Sequence, residues 1–94
     1  MSAAPTKEEL EKRAAALEAK LETAIEKVRS THPIEAGILR VEERELKLLS
    51  GELALARLPL VVAALERRLS EVEHRVEEQL RRVDGQTGTS TTAA

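Results

Sequence analysis

From Leu58 to Val83 the chain carries a 4-3 repeat: Leu58, Val62, Leu65, Leu69, Val72, Val76, Gln79 and Val83 follow one another at alternating steps of four and three residues. That spacing keeps the side chains in one narrow stripe along an α-helix. A stripe so narrow is buried only against another helix. The repeat therefore constrains the chain to an all-α fold built on coiled-coil packing, and makes helix–helix contact its expected activity.

The N-terminal third repeats the pattern. Thr6-Lys7-Glu8-Glu9 has the residues of a capping box, in which the Thr6 hydroxyl accepts from the Glu9 amide and the Glu9 carboxylate reaches back. It predicts a first helix over about residues 7–29, with Leu10, Ala14, Leu17, Leu21, Ala24 and Val28 as its seam and Ile25 beside it. Acid-first pairs such as Glu8–Lys12 and Glu9–Arg13 have the order that favours i,i+4 contact, about 0.2–0.5 kcal/mol each.

Pro33 disfavours helical geometry at His32 and suits the first position of a second helix. That helix has two apolar stripes. Leu39, Leu46, Leu49 and Leu53 make one; Ile38, Val41, Leu48 and Leu55 make the other. Two stripes imply two neighbours. Ser50-Gly51 is the expected end of this helix, giving helices over 34–50 and 52–84. The rival is one helix from about residue 34 to 84, bent at Pro59 and about 75 Å long. The fold class expected is an antiparallel bundle of two or three helices, or a helical hairpin, that is oligomeric. Residues 1–5 are expected to be a flexible N-terminus, residues 6–84 a single helical domain, and residues 85–94, which are small and polar, a disordered tail beyond Asp84-Gly85.

Composition narrows the chemistry. The 94 residues include no Phe, Trp or Tyr and no Cys, so the core is aliphatic and neither disulfides nor thiolate metal sites are available. Net charge is −2 with 34% charged residues of both signs interspersed, a balance expected of a soluble chain. Arg67, Arg68, Arg75, Arg81 and Arg82 are interleaved with glutamates, with Glu71–Arg75, Glu77–Arg81 and Glu78–Arg82 ordered for i,i+4 contact within the helix, and no aromatic residue is present to stack on bases, so no nucleic-acid contact is expected. The start of the chain has no signal-peptide pattern, and the most apolar stretch, residues 53–65, is shorter than the ~20 residues of a membrane span. A cytoplasmic location is the expectation.

His32 reads as a turn residue and His74 as an exposed residue one turn from Glu71 and Glu78, so no metal site is expected. Gln79 reads as a tolerated polar seam position, or as one that fixes register. The Arg44-Glu45-Leu46 run resembles a helix of the all-helical chorismate mutases over three residues. Pro33 interrupts this chain where that family's first helix continues, so no residue is carried across and the chain is expected not to be an enzyme. No cofactor and no small-molecule substrate are expected.

The expected function is a scaffold, adaptor or assembly subunit that pairs with a second copy or another helical protein. The interface expected consists of Leu58, Val62, Leu65, Leu69, Val72 and Val76 of the seam, with Leu53, Leu55 and Leu60 of an apolar waist. Arg57 within the waist is expected to lay its stem on the core and reach Glu52 or Glu45. Two alternatives fit the composition: an engineered helical bundle without natural activity, suggested by the idealised first helix, and a membrane-surface amphipathic protein, which the lack of aromatics disfavours.

Overall fold

The computed structural model describes residues 5–93, and the side chains of residues 5–83. Among these residues it contains three α-helices and no strand: α1 (Lys7–Val28), α2 (Pro33–Leu55) and α3 (Pro59–Ala93). Helix α3 continues through Asp84-Gly85, where it was expected to end, as far as Ala93, although the side chains of that stretch are not described.

Each helix starts where local chemistry favours it. Thr6 caps α1 by accepting from the Glu9 amide, and Glu9 returns the contact to the Thr6 backbone, completing the capping box. Four residues, 29–32, turn the chain into α2, with the His32 amide donating to the Val28 carbonyl. Pro33 then opens α2 at a position whose amide would have no intrahelical partner in any case.

The boundary between α2 and α3 differs from the expected one. The helix runs through Ser50-Gly51 to Leu55 and breaks only at residues 56–58, where Ala56 is extended and Pro59 opens α3. Magnitudes explain the choice. Glycine within a helix costs about 1 kcal/mol, and proline about 3 kcal/mol or more. Continuing past Gly51 also keeps Leu53 in line with Leu49, both 1% exposed, and burying one leucine is worth about 1.5–3 kcal/mol. The glycine penalty is the smaller quantity, so the break moves to the proline.

One core joins the helices. Leu10, Ala14, Leu17, Leu21, Ile25 and Val28 of α1 meet Ala36, Leu39, Leu46, Leu49 and Leu53 of α2, and Leu65, Leu69, Val72, Val76 and Val83 of α3. On α1, Ile25 takes the buried place expected of Ala24, which is half-buried at the edge. Helix α2 is central: it contacts α1 and α3 more extensively than those two contact each other.

Charged groups tie the helices at the margins of this core. Lys7 Nζ donates to the carbonyls of Ala54 (2.9 Å) and Ala56 (3.1 Å) at the C-terminal end of α2. Those carbonyls lack intrahelical partners, and the last turn of α2 has no basic residue of its own. Arg13 on α1 reaches Glu73 on α3 at 2.7 Å, with Ser70 and Glu66 adjoining. Arg75 on α3 holds the buried Glu42 of α2 through both carboxylate oxygens and adds Glu45 at 2.6 Å. Arg68 pairs with Glu52 across the same two helices. Hydrogen bonding to Glu42 holds the Arg75 pKa above its ordinary value against the opposing effect of burial, and Glu73 does the same for Arg13. Arg13 and Arg75, expected to serve i,i+4 pairs within their own helices, thus connect different helices.

Two predictions follow from these ties. Arg75→Met leaves the Glu42 carboxylate in the core without its partner and lowers stability by about 1–3 kcal/mol in urea unfolding, and adding Glu42→Leu recovers most of the loss by replacing the pair with apolar contact. Lys7→Met lowers stability by about 0.5–1.5 kcal/mol by uncapping α2, whereas Lys12→Met, on the exposed face of α1, stays within about 0.5 kcal/mol of the parent.

Candidate interaction surface

The apolar seam of α3 faces inward. Leu65, Leu69, Val72 and Val76 are at most 5% exposed, all against this chain's own α1 and α2, and Gln79 is half-buried. Within the waist the expected interface residues separate. Leu53 is buried and Val62 packs half-buried on the core, while Leu55, Leu58 and Leu60 stand out with 82%, 65% and 82% of their surface exposed. Arg57 is exposed, and the two carboxylates expected to meet it are paired with Arg68 and Arg75 instead.

The exposed apolar surface extends well beyond the waist. Ile34, Ile38, Val41, Leu48 and Leu55 of α2 are all exposed. Together with Glu45 and Glu52 they occur at steps of four, three, four, three, four and three, so they form a second heptad stripe along the full length of α2. The inner stripe, Leu39, Leu46, Leu49 and Leu53, is fully buried one residue further along. One residue is about 100° of helix rotation, so the outer stripe lies on the flank of α2 that its two neighbours in this chain leave open.

Sequence reasoning placed Ile38, Val41, Leu48 and Leu55 on a common stripe, but only Leu55 among the interface residues. Ile34, Ile38, Val41 and Leu48, which the fold leaves exposed, are not among those residues, although two stripes on one helix imply more than one neighbour for α2.

Charge keeps the outer stripe usable. Glu45 and Glu52, its two acidic members, pair with Arg75 and Arg68 of α3 while staying about half exposed. At the C-terminal end of α2 the stripe runs into the N-terminus of α3. There Leu60, Val61, Ala64 and Leu65 line a shallow apolar groove, with Glu52 and Arg68 at its rim. Leu58, Leu60 and Val61 are exposed beside it, so stripe and elbow share one surface through Glu52.

A second concavity lies between α1 and α3, lined by Ala19, Thr23, Ala24, Val28, Leu80 and Val83, with Lys20 and Lys27 above it. It adjoins the part of α3 whose side chains are not described. Among the described residues no group of three or more His, Cys, Asp or Glu side chains could hold a metal ion, and no helix is long and apolar enough to cross a membrane. Every buried side-chain nitrogen or oxygen in that set has a hydrogen-bond partner.

Set against protein-family models, curated proteins and solved structures, the chain matches none.

Proposed function

We propose that this chain is a non-enzymatic helix-docking module, an adaptor or assembly subunit that presents the outer flank of α2 and the α2–α3 elbow to another helix. One observation carries this reading: five large aliphatic side chains, Ile34, Ile38, Val41, Leu48 and Leu55, sit exposed at heptad spacing on one continuous helix. A scatter of exposed leucines needs no explanation, but a periodic row of them over six turns has the form of half a helix–helix interface.

The contact differs from the one expected from the sequence in which residues it uses. The α3 seam completes the chain's own core, and Val41 and Leu48 take its place at the centre of the docking face. The waist keeps its role only through the residues the fold leaves outside, Leu55, Leu58 and Leu60. The three-helix body serves to hold α2 straight and its outer flank clear. Arg68 and Arg75 contribute by pairing with the glutamates of that flank, so that Glu45 and Glu52 bring no unpaired charge to it.

The chain's lack of cysteine gives a clean test. In the cells that make the protein, Leu48→Cys should react with a membrane-permeant maleimide about tenfold slower than Ala15→Cys on the exposed face of α1, as for a face covered about nine-tenths of the time. Equal rates at the two sites would mean that the flank is open in the working state, and the docking reading would fail.

A further inference from the structure

We infer that the helix seated on this flank is α2 of a second copy of the same chain, running antiparallel to the first. The inference rests on the docking reading above and names its partner. Three observations converge on it: the arrangement of charge along the stripe, its symmetry, and its area.

The stripe's only charged members are Glu45 and Glu52. A parallel, in-register pair of α2 helices would set Glu45 against Glu45 and Glu52 against Glu52 at seam positions, where like charges repel. An antiparallel pair with its twofold axis near Arg44 and Glu45 sets the two Glu52 about 20 Å apart and leaves a single like pair, Glu45 with Glu45 beside the axis, where each stands next to the other copy's Arg44. It brings Ile34 of one copy toward Leu55 of the other, Val41 toward Leu48, and Arg44 toward Glu45. The apolar residues of the stripe are placed almost evenly about that centre, as a self-complementary twofold contact requires.

The ends match as well. Beyond Leu55 lies the elbow formed by Leu58, Leu60 and Val61, and beyond Ile34 lies only the short turn from α1. In the antiparallel pair each elbow covers the other copy's Ile34 end, so the groove beside Leu60 and Val61 receives an aliphatic side chain. A parallel pair would crowd the two elbows together and leave both Ile34 ends bare.

The area fits a dimer. The eight exposed aliphatic residues, at roughly two-thirds exposure on average, present on the order of 800 Å² of largely apolar surface per copy. A standard interface takes about 800 Å² from each partner, a little over half of it apolar, so the patch is large enough to supply one. Gly37 and Gly51 add an independent sign. Each directly precedes a member of the stripe, and a Cβ at either would meet nothing within 4 Å inside the chain. Neither adopts a positive φ, so nothing within one copy calls for glycine at these positions. Bare backbone on the edge of the stripe lets a second helix approach closely.

Cross-linking and sedimentation decide the matter on the full chain. Ile34 and Leu55 lie about 30 Å apart along α2. Mixing Ile34→Cys with Leu55→Cys under mild oxidation should give a disulfide-linked pair, while Leu55→Cys alone should give none. Sedimentation equilibrium should show a dimer whose dissociation constant rises roughly a hundredfold or more in Val41→Glu/Leu48→Glu, which places four carboxylates on apolar surface, with helical circular dichroism retained. A parent chain that stays monomeric, a dimer indifferent to the double substitution, or a dimer in which Leu55→Cys links to itself would each overturn the inference. A monomer in the tube whose Leu48→Cys is still protected in cells would point to a different helical partner, leaving the docking reading intact. An unprotected Leu48→Cys in cells would remove that reading as well.

Discussion

The central position of α2 governs everything else in this fold. A helix between two neighbours presents one face to each, and α2 does so with a single inner row of leucines that both α1 and α3 use. Leu39, Leu46, Leu49 and Leu53 have at most 1% of their surface exposed. Because one row serves two contacts, α1 and α3 need not enclose α2, and they meet each other less than they meet it. The same economy leaves the outer row, about 100° away, without a neighbour in the chain. Shape and surface are two consequences of one packing choice.

Arginine makes that choice specific. Aliphatic seams alone tolerate sliding of one helix along another, because one leucine fits the hole of the next nearly as well. A fork-shaped guanidinium set against a carboxylate does not slide. Arg75 engages Glu42 and Glu45 together, and Arg68 engages Glu52 one heptad away from Glu45, so α3 is tied to α2 at two points seven residues apart on each helix. Arg13 sets α1 against α3 in the same manner. Partly exposed ion pairs of this kind add little to stability, typically under about 1 kcal/mol. Their effect is on register, since a one-turn slip would leave Glu42 buried without a partner, at a cost of about 1–3 kcal/mol.

Much of this was legible in the sequence, for reasons that differ from residue to residue. The capping box at Thr6 and the proline start at Pro33 act within a few residues, so local pattern identifies them. Both stripes of α2 were legible too, because periodicity reports which faces require burial. The boundary at Ser50-Gly51 was not, since Leu53 outweighs Gly51 only once α1 and α3 are there to bury it. Nor could the sequence distinguish the α3 seam from an intermolecular one. A heptad states that a helix will cover the stripe and is silent on which chain supplies that helix. Arg13 and Arg75 were misassigned for a related reason. Local spacing offered them partners one turn away, while packing brought Glu73 and Glu42 into the less solvated margins of the core, where charge pairs interact more strongly than on an open helix face.

The outer row of α2 also has to be reconciled with the hazard it creates. A fully aliphatic stripe of seven positions would attract any amphipathic helix and risk open-ended association. Placing glutamate at positions 45 and 52 limits that in two ways. Each carboxylate is held by an arginine of α3, so it brings no unpaired charge to the face, yet it remains partly exposed and would meet an approaching acidic seam with repulsion. In the proposed docking, aliphatic side chains supply the attraction, while the two glutamates restrict which helices can use it and in which direction. The restriction holds only while α3 is docked, because Arg68 and Arg75 belong to α3. The outer face is therefore completed by the inner fold: without α3 packed in register, Glu45 and Glu52 would stand as two bare charges in the middle of the row.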